Sequence, residues 1–342
     1  MRLLFANPHP YLPDNTSGRE ISIDALVRRW RAEGVEVAVF CERLGLSAAY
    51  ARDDSLGYPV YRATKSVAAF SAVLADWQPT VALYPFGPSS LPLVAIGLRA
   101  GVKAVLHVTN IEAPDLAAHP LARPDVRIVA NSDFGARRIE TLLGTRPPVM
   151  PPLIEPECYR VDEPQGPKGR DAVLLVNPTL RKGVEIFFRL AAARPEIPFL
   201  AVESWTLDDT WRTVLMNRAR ALGNVELWPV LEDVREAYAR ARLVLMPSIH
   251  EETYGRVVAE AQVSGIPALV SARGALPETL GGGGLAVPLD TGIDPWLQAL
   301  DRLWQDRDFY DQCAAAAVTE SRADGRVPDR ISAQFLDFLR GF

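Results

Sequence analysis

The amino-acid sequence predicts an α/β fold built from two doubly wound parallel sheets. Short apolar runs rich in β-branched residues alternate with segments of helical periodicity almost from end to end, as expected for parallel strands joined by crossover helices. Several of these runs are apolar at consecutive positions, which is typical of strands covered by helices on both faces. The length of 342 residues also suits two domains, because a domain averages about 150 residues.

The first half of the chain, residues 1–150, predicts one such sheet with its helices. Its apolar runs give strands at residues 2–6, 36–40, 81–84, 104–108 and 127–130. The segments between them predict helices near residues 21–32, 67–76, 91–99 and 134–143. We therefore expect a Rossmann-like N-terminal domain that ends near residue 150.

A proline-rich segment separates the two halves. Between residues 146 and 170 the chain has prolines at positions 147, 148, 151, 152, 156, 164 and 167. Prolines at this density are excluded from helix interiors and from central strands. We therefore expect a linker at residues 151–170.

The alternation restarts after the linker and predicts a second Rossmann-like domain at residues 171–325. Strands are expected at residues 172–176, 199–202, 225–228, 243–246 and 268–270, and helices at residues 184–193, 208–221, 232–239 and 256–263. The four glycines at 281–284 are interpreted as a flexible turn, because no strand is predicted directly before them. In the tail, residues 326–342, apolar Ile331, Phe335 and Leu339 recur at helical spacing, so a terminal helix should cover an apolar surface.

The composition is that of an ordinary globular protein and excludes several classes. No apolar run is long enough to span a membrane, which argues against a membrane-spanning protein. The formal net charge of −5 argues against a bulk nucleic-acid binder. Cys41, Cys158 and Cys313 lie too far apart for a disulfide framework or for a close-spaced zinc site. We therefore expect a cytoplasmic protein with no metal site and no nucleic-acid partner.

The most informative stretch is PSIHEETYGRVVAEAQVSG, residues 247–265. A predicted strand ends just before it, Gly255 allows close approach to the backbone, and a helix start offers free N–H groups to an anion. Glu252 and Glu260, with seven residues between them, flank that helix start. Carboxylates repel phosphate but accept strong hydrogen bonds from hydroxyls. The arrangement therefore suits hydroxyl-rich groups on either side of a diphosphate, which is the outline of a nucleotide sugar.

A second motif, NPTLRKG at residues 177–183, lies between a predicted strand and a predicted helix of the same half. Adjacent Arg181 and Lys182 are placed where they could neutralise a diphosphate leaving group. Cations in a loop are more often simply solvated, and the motif gains its significance from the paired glutamates in the same domain.

These motifs resemble retaining glycosyltransferases of family 4, which have the GT-B architecture, and the resemblance is strongest from residue 177 to residue 279. The resemblance implies two Rossmann-like domains facing across a cleft, the N-terminal one binding the acceptor and the C-terminal one the nucleotide sugar. It also implies that the tail helix packs back on the N-terminal domain. The residues implied in donor binding are Glu252 and Thr253 for the transferred sugar, Glu260 for the ribose, and Lys182, Arg181, Tyr254, Gly255 and Arg256 for the phosphates.

The first half resembles the family more loosely. Gly18, in Ser17-Gly18-Arg19-Glu20, stands where the family has a glycine pair near the donor phosphates. His107, in VLHVTN, ends a predicted strand where related enzymes often have a histidine facing the sugar, although a lone histidine is also common as a structural residue. The family usually has an arginine where Asn177 stands, so a cationic contact is lost in this chain or moved to Arg181.

Other charged features have simpler interpretations. The pairs Asp53-Asp54 and Asp208-Asp209 could suggest a metal-bound diphosphate, but carboxylates at turns and helix starts are the better interpretation. Three arginines, Arg28, Arg29 and Arg31, surround Trp30 and could give weak peripheral contact with anionic lipid, although a solvated helix face is the simpler expectation.

The sequence analysis thus predicts transfer of a sugar from a nucleotide sugar to an acceptor hydroxyl, with retention and without a bound cofactor. Glu252 and His107 are the candidate catalytic residues, and the acceptor is a glycan, a lipid-linked molecule or a small molecule. Two alternatives remain open. One is a non-catalytic GT-B subunit that binds nucleotide or glycan, and the other is a nucleotide-sugar epimerase with the same fold.

Overall fold

The structure is a computed structural model that describes residues 1–43, 45, 48–110, 123–161, 169–205 and 207–342. The chain forms two compact units, the first comprising Met1–Leu153 and Pro328–Phe342 and the second Ile154–Val327. Within the described ranges, no helix is both long and apolar enough to cross a membrane.

The first unit contains a seven-stranded sheet in the order β3-β4-β2-β1-β5-β6-β7. Neighbouring strands are parallel except β3, which pairs antiparallel with β4. The strands are β1 (Arg2–Ala6), β2 (Glu36–Glu42), β3 (Tyr50–Asp53), β4 (Val60–Ala63), β5 (Val81–Pro85), β6 (Lys103–Val108) and β7 (Val126–Ala130). Its helices are α1 (Gly18–Ala32), α2 (Ser66–Trp77), α3 (Leu91–Arg99), α4 (Asp133–Leu143) and the chain's last helix, α13 (Pro328–Arg340).

The second unit contains a six-stranded, wholly parallel sheet in the order β10-β9-β8-β11-β12-β13. Its strands are β8 (Ala172–Val176), β9 (Phe199–Val202), β10 (Val225–Trp228), β11 (Ala241–Met246), β12 (Ala268–Ser271) and β13 (Gly284–Val287). Its helices are α5 (Pro156–Tyr159), α6 (Val184–Ala193), α7 (Asp209–Leu222), α8 (Arg235–Arg240), α9 (Arg256–Gln262), α10 (Leu276–Leu280), α11 (Asp294–Gln305) and α12 (Arg307–Ser321).

The predicted class, two doubly wound α/β sheets, is confirmed, and the missed elements have physical reasons. Strands β3 and β4 have four residues each, and β3 lies at the exposed edge of its sheet, so neither gives a continuous apolar run. The interpretation of residues 281–284 as a flexible turn is wrong at its last position. Gly284 begins β13, and a Cβ atom there would lie 1.8 Å from the carbonyl oxygen of Ala268, so only glycine fits this close strand pairing.

The last helix packs against the first unit through an aromatic cluster. The indole of Trp30 stacks on Phe5 at 5.7 Å between ring centroids and receives the edge of Phe335 at 5.5 Å. Its Nε1–H donates a hydrogen bond to the carbonyl of Ser332 in α13. The apolar stripe of Ile331, Phe335 and Leu339 is thus buried in this unit's core.

This packing changes the interpretation of the basic segment around Trp30. The indole is completely buried, so it is unavailable for insertion into a lipid surface. The guanidinium of Arg28 pairs with Asp24, and that of Arg29 with Asp329. Weak membrane contact by this helix would therefore depend on charged groups alone, and it stays a prediction.

The connection between the units is shorter than the predicted linker. Leu153 is buried in the first unit's core, whereas Ile154 and Tyr159 are buried in the second unit's core. Residues 154–159 thus belong to the second unit, although their prolines suggested a linker, because two large side chains anchor them. Residues 162–168 of the predicted linker lie outside the described residues.

Candidate functional site

The topology of the second sheet places two loops next to each other at the carboxyl ends of its strands. From β8 the chain continues to β9 and β10 on one side, then returns to β11 and β12 on the other. In such sheets ligands bind outside the carboxyl ends of the strands, where the strand order reverses. The reversal here lies between β8 and β11. The loops that follow these two strands, residues 177–183 and 247–255, are the two motifs singled out in the sequence.

The two loops pack directly against each other. Gly183 has a positive φ of 78°, and a Cβ atom there would lie 2.0 Å from the carbonyl oxygen of Pro247. The backbone N–H of Ile249 donates to the carbonyl of Arg181 at 3.0 Å. This close approach explains why Lys182 and Glu252, which are 70 positions apart in sequence, meet at one site.

Glu252 is held by a cation and by a hydroxyl. The ammonium of Lys182 lies 2.6 Å from Glu252 Oε1, and the hydroxyl of Ser248 donates to the same oxygen at 2.7 Å. The side chain of Glu252 is 11% exposed, so it is neither sealed off nor freely solvated. Burial by itself would raise the pKa of this carboxyl, but the charge and hydrogen bond of Lys182, together with the Ser248 hydrogen bond and the His250 ring, outweigh it, and the pKa lies below its usual value. The carboxylate is therefore ionised at neutral pH.

Further residues fix the position of Glu252. Its carbonyl accepts from the N–H of Ala275 at 2.8 Å, and a Cβ atom on Gly274 would lie 2.4 Å from the same carbonyl oxygen. The ring of His250 lies beside the carboxylate, with its Nε2 3.8 Å from Glu252 Oε2. Ser248, His250 and Gly274 were not predicted as site residues. Ser248 and His250 lie four and two positions before Glu252 in the same motif, and this proximity is the signal that could have found them.

Glu260 also has two protein partners. The hydroxyl of Tyr238 donates to Glu260 Oε2 at 2.7 Å, and Nε of Arg256 donates to Oε1 at 3.1 Å. A second guanidinium nitrogen of Arg256 donates to the hydroxyl of Tyr159 at 2.9 Å. The carboxylate is thus held by groups from α8 and α9, and Arg256 is itself held by Tyr159 of α5. Neither tyrosine was predicted, because nothing in the local sequence links it to Glu260.

The remaining predicted donor residues take different places in this unit. Gly255 precedes α9 with a positive φ of 92°, and Thr253 and Tyr254 beside it are buried. Thr279 Oγ1 hydrogen-bonds the carbonyl of Tyr254, which ties the loop to α10. A guanidinium nitrogen of Arg181 lies 3.3 Å from Nδ1 of His250, next to the Glu252 cluster. The structure thus brings Lys182, Arg181 and Glu252 together.

The other two predicted residues, Gly18 and His107, lie in the first unit. Gly18 begins α1, whereas His107 lies near the end of β6. His107 lines a small cavity at the carboxyl ends of β1 and β5, where that sheet's strand order reverses, together with Asn7, Arg19 and Thr109. Arg19 is paired there with the fully buried carboxylate of Glu20 at 2.8 Å.

The protonation of His107 follows from its surroundings. Burial lowers the pKa of the imidazole to about 4, and the nearby charge of Arg19 acts in the same direction, so the ring is neutral at pH 7. A hydrogen bond to the backbone of Met150 opposes this shift, as expected when the ring donates to a carbonyl. Nε2 is buried and has no partner among the described residues, so Nδ1 makes that bond and Nε2 keeps its lone pair. The ring also meets the edge of Phe335, which is a structural contact.

The acidic pairs that could have suggested a metal-bound diphosphate have other partners. Asp208 caps α7 by accepting from the N–H of Trp211 at 2.9 Å, and Asp53 pairs with Arg62 at 2.7 Å. Among the described residues, no group of three or more His, Cys, Asp or Glu side chains is arranged to hold a metal ion.

Sequence comparison places the second unit among known proteins. Residues 178–306 match the family model described as glycosyl transferases group 1. A D-inositol 3-phosphate glycosyltransferase of Nocardioides sp. is 37% identical over 93 residues, which are 27% of this chain and 20% of that protein. The corresponding protein of Corynebacterium kroppenstedtii is 39% identical over 79 residues, 22% of this chain and 17% of that protein. The matched segments thus span about a fifth of the length of these relatives.

Structural comparison extends over the whole chain. A sucrose-phosphate synthase from Thermosynechococcus elongatus superposes with a TM-score of 0.84 at 16% identity, covering 100% of this chain and 99% of that one. The Anabaena protein HepE in complex with UDP-glucose gives a TM-score of 0.80 at 15% identity and covers 100% of both chains. At these identities the comparison shows the fold, and it confirms the predicted GT-B class.

Proposed function

We propose that this chain transfers a sugar from a nucleotide-sugar donor to an acceptor hydroxyl, because residues 178–306 match the family model described as glycosyl transferases group 1. The observation that carries the proposal is the pairing of Lys182 Nζ with Glu252 Oε1 at 2.6 Å, at the strand-order reversal of the second sheet. This pair puts a cation for a phosphate and a carboxylate for a hydroxyl at the same position. The structural likeness to HepE, which was solved with UDP-glucose, supports a nucleotide sugar as the donor.

The proposed roles follow from charge and hydrogen-bonding capacity. Negative charge develops on the departing diphosphate, and Lys182 with neighbouring Arg181 stabilises it. Glu252 and Thr253 contact the transferred sugar, while Glu260 accepts hydrogen bonds from the ribose hydroxyls. The backbone around Tyr254 and Gly255, with the Arg256 guanidinium, binds the phosphates.

Transfer is proposed to proceed with retention and without a metal ion. Retention follows from the resemblance of the Glu252 motif to family 4 enzymes, in which attack on the same face of the sugar is favoured. The cations of Lys182 and Arg181 supply the positive charge that a metal would otherwise bring to the leaving group. Proton NMR of the product's anomeric signal tests retention, and activity that persists in excess EDTA tests metal independence.

The first unit is proposed to bind the acceptor, with His107 contributing a hydrogen-bond acceptor. Its neutral ring lines the small cavity that includes Asn7 and Thr109, and its Nε2 keeps a lone pair, so a hydroxyl group is the fitting partner. The acceptor is a glycan, a lipid-linked molecule or a small molecule. A cytoplasmic location is also proposed, because all three cysteines are free thiols.

The experiment that tests this function begins with the donor. A panel of UDP, GDP, ADP and dTDP sugars is screened by thermal shift, because a ligand that binds only the native state raises its stability. The donor found is then used in transfer assays with Glu252→Gln, with Glu251→Gln as the matched control beside it. We expect E252Q to lose transfer and E251Q to keep it.

The same experiment separates the alternatives. Donor binding without turnover by any acceptor would favour a non-catalytic binding subunit. Conversion of the donor sugar without an acceptor would identify an epimerase instead. Wild-type transfer by E252Q would contradict the site proposed here.

A further inference from the structure

Asn177, the first residue after β8, has an unusual backbone conformation. Its φ is 67°, in the left-handed region of backbone conformation that residues other than glycine, Asn and Asp rarely adopt. Among the described non-glycine residues only Gln78 shares this property, and Gln78 ends helix α2, where a left-handed residue is common. Asn177 ends a strand, so helix capping does not explain its conformation. Strained residues of this kind cluster at ligand-binding sites.

The side chain of Asn177 is buried without partners. The residue is 3% exposed, and neither Nδ2 nor Oδ1 has a hydrogen-bond partner among the described residues. Buried amides in folded proteins are nearly always paired, because an unpaired one loses its hydration without compensation. An amide with both atoms unpaired therefore indicates a partner outside the chain.

The backbone of Asn177 holds this side chain at the site already described. Its N–H donates to the carbonyl of Val202 at the end of β9, at 2.7 Å, and its carbonyl accepts from the N–H of Thr179 at 2.8 Å. The turn that begins here carries Lys182, whose ammonium meets Glu252, and ends at Gly183 against Pro247. Asn177 thus follows β8, the strand between β9 and β11, at the start of the turn that carries Lys182.

We infer that Asn177 is a donor-binding residue that recognises the diphosphate and an adjacent hydroxyl of a nucleotide sugar. This inference rests on the proposed function. An amide donates through Nδ2 and accepts through Oδ1. Phosphate oxygens only accept, whereas a sugar hydroxyl can donate, so a sugar diphosphate satisfies both atoms at once.

Two substitutions at this position separate a ligand contact from a structural role. Asn177→Gly removes the amide but tolerates a positive φ, so the backbone need not change. Asn177→Asp keeps the size and the conformational tolerance but replaces the amide donor with a carboxylate that repels phosphate. Gln78→Gly is the matched control, because it relieves the same backbone conformation in the other unit.

The experiment measures calorimetric dissociation constants for UDP, GDP, ADP and dTDP and for the corresponding nucleosides, using the base that binds the wild type. Because a hydrogen bond to a charged group is lost, N177G should weaken binding of the nucleoside diphosphate roughly tenfold. N177D should weaken it by more than tenfold but change nucleoside binding by less than about twofold, since only the diphosphate is repelled. Q78G should bind like the wild type. Circular dichroism and the melting temperature establish that each variant is folded.

The possible outcomes are distinct. If the wild type binds a nucleoside diphosphate and both N177G and N177D bind it equally well, the inference about Asn177 is overturned while the proposed function stands. If N177D loses nucleoside and diphosphate binding alike, the contact with the diphosphate is overturned. If none of the diphosphates binds the wild type, the proposed function itself fails.

Discussion

Replacing Lys182 with methionine removes the ammonium next to Glu252 and keeps most of the side chain's length. The change affects stability and transfer for different physical reasons, so the two effects can be measured separately. Stability changes because Glu252 loses its cationic partner. Transfer changes because the departing diphosphate loses a fixed positive charge.

The stability effect follows from the burial of the pair. Side-chain exposures of 23% for Lys182 and 11% for Glu252 lie between those of a surface pair and those of a sealed one. Surface pairs contribute about 0–1 kcal/mol, and breaking a buried pair costs about 3–5 kcal/mol, so we expect a loss of about 2 kcal/mol. For a unit of this size the melting temperature should fall by roughly 4–8 °C.

The effect on transfer should be larger. Removing one preorganised group that stabilises charge in a transition state typically lowers kcat by about 10²–10³-fold. Steady-state kinetics with the donor identified by thermal shift measures this effect, and Lys65→Met, a change at an exposed lysine of the first unit, is the control. A kcat for K182M within twofold of the wild type would refute the role assigned to Lys182.

A double variant tests whether the two effects are separate. In K182M with Glu252→Gln the uncharged amide no longer needs a cation, so most of the lost stability should return. Transfer should not return, because both charged groups are still missing. If the double variant were as unstable as K182M alone, the unpaired carboxylate would not be the cause of the instability.

Three further predictions follow from the geometry. Glu260→Gln should weaken the binding of nucleoside and of nucleoside diphosphate by a similar factor, roughly tenfold by calorimetry, because Glu260 is proposed to contact the ribose that both ligands share. A loss in kcat alone would contradict this role. His107→Gln should flatten the acid dependence of stability. The buried ring has a pKa of about 4, against about 6.5 in the unfolded chain, so the unfolded chain binds the proton first as the pH falls. This difference should lower the free energy of unfolding of the wild type by roughly 2 kcal/mol between pH 7 and pH 5. Urea titrations measure the loss, and H107Q should lack it. Gly183→Ala should disrupt the contact with Pro247, since the new Cβ would lie 2.0 Å from a carbonyl oxygen, and an unchanged melting temperature and donor affinity would argue against that contact.

The sequence predicted the elements whose apolar pattern is continuous and the site residues that lie just after them. Lys182 and Glu252 were found because the carboxyl ends of parallel strands converge, although the two residues are 70 positions apart. Helices α11 and α12 are not predicted, because the sequence analysis relies on the alternation of strands and helices. They follow the last predicted strand, where no alternation with further strands marked them as crossover connections.

The partners of the predicted residues could not be found from sequence. Tyr238 reaches Glu260 from α8, and Tyr159 reaches Arg256 from α5, because of packing between elements that share no local motif. Ser248 and Gly274 support Glu252 through a side-chain bond and a close backbone approach, and neither is apparent before the loops are placed. The sequence marks Asn177 only as a departure from the family, and its conformation and unpaired amide are properties of the folded chain alone.

Each proposed donor-binding carboxylate is paired with a cation in the structure, Glu252 with Lys182 and Glu260 with Arg256. On the proposed function, donor binding exchanges these partners, because hydroxyls replace the cations at the carboxylates while phosphate oxygens take up the cations. A diphosphate without hydroxyls would leave two carboxylates unpaired, and a nucleoside without phosphates would compete with Arg256 for Glu260. Since either half alone breaks ion pairs without replacing them, the arrangement favours the complete nucleotide sugar over its fragments.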